Sequence, residues 1–258
     1  MAFLYVKYGT TKIAYDYVKK KEINTMVNIL QESIEYIEKQ LSLNEKLDNE
    51  HENRASKDGI FCPDIFFASG SKRIVFVLKE TYSPVGDFAY SPVLNPDNTD
   101  SIRGTNRASR ILVSSFGKDG LLSGVGYMNI SKKAMDLLDG KTRSNRSYLR
   151  KSYRRDKEYV WEQLKAMNPR YVICGGTFGY LWKDLKSVYG SFFYRVKFTS
   201  NQKLNSYSDT KLSLWRRKDK AYPVFIQTYH PSCPGNVFKL IPEVIQEYEE
   251  GNTELILY

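Results

Sequence analysis

Cysteine and histidine are both scarce. Three cysteines (Cys62, Cys174, Cys233) lie far apart in 258 residues, and no CxxC pair occurs. That spacing excludes a disulfide framework, a zinc ribbon and a four-thiolate iron–sulfur cluster within one chain. Only His51 and His230 are present, so a histidine-rich metal site is not expected, and the chain is read as needing no metal and no cofactor. No run of 18 apolar residues occurs, which excludes a membrane span as the sequence stands. The opening MAFLYVKYGTTK has too short an apolar stretch for a secretory signal, so the expected setting is cytoplasmic, with reduced thiols. Neither GxxxxGK[ST] nor GxGxxG is found, which lowers the standing of a nucleotide-processing enzyme on a phosphate-cradling loop. There is no internal repeat. What is present is 41% hydrophobic residues, enough to bury a sizeable core and too many for a disordered chain.

Acidic residues are the minority charge. The net charge is +10, and it is unevenly spread: residues 1–50 hold 7 Lys/Arg against 8 Asp/Glu, and the remainder holds 32 against 21. Two runs concentrate the excess, Lys141 to Lys157 (KTRSNRSYLRKSYRRDK) and Lys211 to Lys220 (KLSLWRRKDK). Both interleave cations with Tyr or Trp, the mixture that neutralises phosphates and stacks on bases. DNA, double- or single-stranded, is therefore the expected partner. Arg154, Arg155, Arg216 and Arg217 are the cations expected to touch it.

Residues 12–50 carry Ile23, Met26, Leu30, Ile34 and Ile37 at three- and four-residue steps, a helical period. Four short β-branched or aromatic runs follow: RIVFVL (Arg73–Leu78), GYMNI (Gly126–Ile130), YVIC (Tyr171–Cys174) and VFIQT (Val224–Thr228). Helices are expected between them, over Tyr148–Met167 and Phe178–Val188, the first stopped at Asn168-Pro169. Strands alternating with helices imply right-handed crossovers. The expected fold class is therefore α/β: a three-layer α/β/α domain over 60–258 with a central, mostly parallel four-stranded sheet. Residues 1–59 form an N-terminal helical extension packed on that core, and 190–222 an inserted hairpin or loop. A monomer is expected.

In such a sheet, ligands bind at the carboxyl ends of the strands. Four segments meet there: Lys79-Glu80-Thr81-Tyr82, Asn129 with Ser131 and Lys132, Gly175-Gly176-Thr177, and His230-Pro231-Ser232. One carboxylate, one amide, a glycine pair and one histidine make an acid–base site without metal.

Read in order, these segments resemble the uracil-DNA glycosylase superfamily. RIVFV followed by Leu78-Lys79-Glu80-Thr81-Tyr82 stands where the family's longest motif has Gly-Gln-Asp-Pro-Tyr. GVGYMNISKK is similar to the Asn-bearing strand, NPRYVICGGTFGYLW to the third strand and its helix, and YPVFIQTYHPS to the last strand and HPS loop. RGTNRASRILVSSFG resembles the helix after the first motif. The resemblance covers roughly residues 60–245. It departs at Leu78, Glu80 and Thr81, which replace the motif's Gly, Asp and Pro, and these departures bear on substrate identity more than on fold.

The resemblance implies hydrolysis of an N-glycosidic bond. Glu80, with Asp87 as substitute, would orient water and stabilise the oxocarbenium-like sugar, and His230 would act as a neutral donor to the departing base. Asn129 would read the pyrimidine edge, Tyr82 would wall off its 5-position, and Phe88, Tyr90 or Phe116 would stack on it. Ser232, Pro234, Gly235 and Asn236, with Lys132, would contact DNA as the base is flipped. Cys233 lacks a flanking His or Cys and is not read as a nucleophile. The implied activity is that of a monofunctional DNA glycosylase. Its target is either uracil or a bulky modified cytosine such as the glucosylated 5-hydroxymethylcytosine of phage DNA, which would make it an anti-phage defence. The alternative is a catalytically silent DNA-binding module of the same fold.

Overall fold

The computed structural model describes residues 2–51, 58–60, 63–79, 125–133, 145–207, 211–230 and 237–256, with side chains in the first helix from Glu22 onward. The elements run α1 (Ala2–Glu50), β1 (Gly59–Ile60), α2 (Pro63–Phe67), β2 (Ile74–Leu78), β3 (Val125–Asn129), α3 (Arg146–Met167) and β4 (Tyr171–Gly175). They continue α4 (Phe178–Leu181), α5 (Leu185–Tyr189), β5 (Phe193–Phe198), α6 (Gln202–Asn205), β6 (Leu212–Arg217) and β7 (Val224–Thr228). A 3₁₀ turn (Val237–Leu240), α7 (Ile241–Glu249) and β8 (Thr253–Leu255) complete the described chain.

The four expected runs are β2, β3, β4 and β7, and they form the parallel centre of the sheet in the order β3-β2-β4-β7. The sheet itself has eight strands, not four, in the order β1-β3-β2-β4-β7-β6-β5-β8. The added strands are all antiparallel to their neighbours. Segment 190–222, expected as an insertion, is part of the sheet: β5 and β6 pair with each other, and β6 pairs with β7. Its mixed cationic and aromatic texture hides strands whose inward residues (Phe193, Val196, Phe198, Leu212, Leu214) are apolar.

Alternation along the central strands divides the core in two. Ile74, Phe76 and Leu78 face one side, with Ile173, Ile226, Phe238, Ile241 and Val244. Val75 and Val77 face the other, with Leu149, Val160 and Leu164 of α3 and Phe66 of α2. Helix α3 starts where Asn145 accepts hydrogen bonds from the N–H groups of Ser147 and Tyr148, and it stops at Asn168, whose φ of 44° is left-handed. The expected Phe178–Val188 helix is two short ones, α4 and α5.

The apolar stripe that marks α1 in the sequence is not the face that packs. Ile23, Met26, Leu30, Ile34 and Ile37 are exposed, while Tyr36, Leu43 and Leu47 are buried. Contact with the core runs through the Tyr36 ring, 6.0 Å from that of Phe67, and its hydroxyl, which accepts the Ile60 N–H at 2.7 Å. Gly59 permits this approach, since a Cβ there would lie 2.7 Å from the Tyr36 hydroxyl. Arg73 adds an ion pair to Glu32 at 2.7 Å. No helix among the described residues is long and apolar enough to cross a membrane.

Candidate functional site

The chain leaves β2 toward β3 on one side and returns past it to β4 on the other, so the crevice between the carboxyl ends of β2 and β4 is a topological switch point. Three groups converge on it. Lys79 follows β2, Gly176 follows β4, and His230 follows β7. Gly176 has a φ of +73°, and its N–H donates to the Thr228 carbonyl at 2.8 Å, tying the ends of β4 and β7 together. A Cβ at Gly176 would stand 3.1 Å from Lys79 Cε and 3.6 Å from the His230 backbone nitrogen, so the lysine stem crosses directly over this glycine. Thr177 closes the floor by donating from Oγ1 to the Val77 carbonyl at 2.7 Å.

Electrostatics follow from this convergence. Desolvation lowers the His230 pKa from 6.5 to about 4, and the neighbouring Lys79 ammonium pushes it the same way. The imidazole is therefore neutral near pH 7, able to donate one hydrogen bond without carrying charge. Glu80 is covalently next to Lys79 but lies outside the described residues, as do Tyr82, Asp87, Phe88, Tyr90, Phe116, Ser232, Cys233, Pro234, Gly235 and Asn236.

At the end of β3 the polar groups are buried instead. Asn129 has no exposed surface; its backbone N–H and its side-chain amide both donate to Asp58, at 2.8 and 2.9 Å, and its Oδ1 accepts from the Tyr127 hydroxyl. Lys132, expected at the DNA surface, is fully buried, with Nζ 2.7 Å from Asp58 Oδ2 and a second bond to Gln163. A buried ammonium is retained only where such partners compensate its lost hydration. This arrangement makes Lys132 a clamp between the chain entering β1 and helix α3. Asp156 of α3 accepts from the Lys132 backbone N–H and lies 3.3 Å from His51 Nε2. Burial pushes the Asp156 pKa up, but paired bonds from Arg155 and contacts from His51 and Lys132 outweigh it and hold it at about 2.

The same bonds correct the expected DNA contacts. Arg155 is committed to its neighbour Asp156 through Nε and Nη2, at 2.7 and 2.8 Å. Arg216 is buried and donates to the Arg217 and Lys218 carbonyls. Arg217 donates to the carbonyls of Ala221 and Tyr222. Because β6 is antiparallel to β7, with Leu212 opposite Thr228, both arginines fall at the amino end of β7, across the sheet from His230. Antiparallel pairing reverses direction, and a basic run that starts near the site finishes at the opposite end of the strands.

Arg154 has the opposite fate. It lines a cleft of about 560 Å³ between α3 and the α4–α5 turn, with Arg146, Arg150, Lys157, Lys183 and Tyr180 around it. Among the described residues no carboxylate pairs with Arg146, Arg150, Arg154 or Lys183; Asp184 is 3.6 Å from Lys157 and accepts from the Tyr153 hydroxyl. Asp156 sits level with Lys132, just past the end of β3, and the earlier turns of α3 lie beyond it. The cleft therefore rises on the same end of the sheet as the switch point. The signal for it was in the sequence: 146, 150, 154 and 157 fall at steps of four, four and three, one helix face. Asp58, Asp156 and Gln163 carried no comparable signal, since lone polar residues between apolar runs do not announce burial.

Compared with protein-family models and with curated proteins, the chain matches none.

Proposed function

We propose that this chain is a DNA glycosylase that hydrolyses the N-glycosidic bond of a flipped-out pyrimidine and leaves an abasic site. The observation that carries the reading is a neutral histidine at the switch-point crevice, beside Gly176 and Lys79, with a basic cleft on the same end of the sheet whose Arg146, Arg150, Arg154 and Lys183 have no carboxylate partner among the described residues. In this reading DNA lies over the carboxyl ends of the strands and its phosphates meet the cleft. The flipped base enters the crevice. Glu80 orients a water that attacks C1′ as the bond to the base nitrogen breaks. The electron pair leaves with the base, and the water loses its proton to the carboxylate. His230 donates to the base carbonyl where negative charge collects, and the Lys79 ammonium adds favourable charge without being consumed. The product is then an abasic site in an uncut strand.

Asn129 has no exposed surface and both ends of its amide are bonded inside the fold, donating to Asp58 and accepting from Tyr127, so in this reading it bears on base choice through that cluster and not by touching the base. The replacement of proline by Thr81 before Tyr82 frees a backbone φ. That favours a wider pocket, and a bulky modified cytosine over uracil alone. The family resemblance in sequence supports this reading, as does the parallel centre built from the four expected runs.

The test is incubation with oligonucleotides bearing uracil, a thymine mismatch, hydroxymethylcytosine or its glucosides, followed by alkaline cleavage. Base release from at least one is expected, reduced on the order of 10²-fold or more by His230→Ala with DNA binding retained. Binding without release from any of them would leave a catalytically silent module of the same fold.

A further inference from the structure

Helix α1 presents an apolar face to solvent that the rest of the described chain does not cover. Ile23, Val27, Leu30, Ile34, Ile37 and Leu41 are each between 42% and 64% exposed, and Met26 beside them is 69% exposed. Their steps are four, three, four, three and four, a mean of 3.6, so the six side chains form one continuous stripe along the helix. Alternating three- and four-residue steps keep a narrow apolar stripe in line along the helix, the pattern of a face that packs on another helix. The core-facing residues Ser33, Tyr36, Gln40, Leu43 and Leu47 form a separate face, about a third of a turn round the helix. The exposed side chains amount to roughly 700 Å², more than the ~300–600 Å² of the largest patch on a typical monomer. Two copies face to face would bury about 1,400 Å², within the range of a stable interface.

Charge decides which way the partner runs. Residues 22–50 carry seven carboxylates and two lysines, whereas residues 2–21 carry five lysines and one aspartate. Parallel pairing would set the acidic half on the acidic half. Antiparallel pairing about the middle of the stripe, near residue 32, sets Lys19, Lys20 and Lys21 of one copy within a turn of Glu45 and Asp48 of the other. The same register places Ile23 opposite Leu41, Val27 opposite Ile37 and Leu30 opposite Ile34, apolar on apolar at every layer. It also keeps the two folded cores at opposite ends of the pair, since each core packs on the later half of its own α1.

We propose that the chain self-associates as an antiparallel dimer through the Ile23–Leu41 face of α1, in place of the expected monomer. The proposal is independent of the catalytic reading. Sedimentation equilibrium at tens of micromolar should give twice the 29.9 kDa chain mass. Leu30→Glu with Ile34→Glu should restore the single-chain mass with far-ultraviolet circular dichroism unchanged, because both side chains are exposed in the folded chain. A single-chain mass for the unmodified protein overturns the proposal, and so does a dimer that survives both glutamates. Orientation is read separately by cysteine pairing. A mixture of Ile23→Cys and Leu41→Cys chains should form the mixed disulfide, while Leu41→Cys alone should not, its two copies lying about 27 Å apart along the helix. Efficient cross-linking of Leu41→Cys with itself would mean a parallel pair and would overturn the antiparallel register.

Discussion

The two basic runs read alike in sequence and end in opposite roles. In the first, Arg146, Arg150 and Arg154 share one face of α3, without carboxylate partners among the described residues, around a cleft beside the strand ends. In the second, Arg216 and Arg217 turn back onto four backbone carbonyls and hold the β6–β7 turn at the far end of the strands. A buried lysine, Lys132, extends the second class. A cation's sequence neighbourhood says little about its job. The number of acceptors already bound to it, and the end of the sheet where its strand finishes, say much more.

The contrast is tested hardest at Asp58. Asp58→Ala leaves the Lys132 ammonium buried without its carboxylate and removes two acceptors from Asn129, so a loss of about 3–5 kcal/mol is expected in denaturant unfolding. A loss under ~1 kcal/mol would mean that the cluster does not hold the fold.

His230 comes next. Its pKa is about 4 folded and 6.5 in the unstructured reference, so the unfolded chain takes up the proton first as pH falls. Stability should be level above pH 6.5 and decline by roughly 3 kcal/mol toward pH 4. His230→Asn should lack this component, and Lys79→Gln should shrink it, since one neighbouring cation is gone. Identical pH profiles for the unmodified protein and His230→Asn would refute the buried neutral histidine.

Arg216→Ala should cost about 1–3 kcal/mol, because the Arg217 and Lys218 carbonyls lose a donor, and DNA affinity should stay within twofold. Arg150→Ala with Arg154→Ala should do the reverse. Stability should change by under ~0.5 kcal/mol, duplex affinity should fall about tenfold, and the slope of log K against log salt should lessen by roughly 2. Fluorescence anisotropy over a salt series separates the two variants; equal effects of both on affinity would erase the distinction between the runs.

How much of this could be read in advance depends on whether neighbours in sequence or neighbours in space decide it. The central strands were legible because buried parallel strands are continuous apolar runs bounded by turn residues, and VFIQT matches β7 residue for residue. Helix α3 was legible from its period and its Asn168-Pro169 stop, and the structure adds two residues before Tyr148. Strands β5 and β6 were legible only as an inserted hairpin or loop, since they set cations among their apolar residues, and the three-residue β8 is too short to carry a pattern. At the candidate site, the convergence of Lys79, Gly176 and His230 followed from strand ends alone. The commitment of Asn129 and Lys132 to Asp58 did not, because their partner lies 71 and 74 residues away.

By itself, then, the sequence determined the parallel centre of the sheet, the end of it that carries the polar loops, and the helical period of α1. Those are consequences of local pattern, where each residue's preference agrees with its neighbours'. Tertiary structure decided which face of α1 meets the core, which cations remain without carboxylate partners among the described residues and which polar groups are sealed inside. Each of these turns on desolvation and on acceptors contributed by distant segments, and neither quantity exists until the chain has folded.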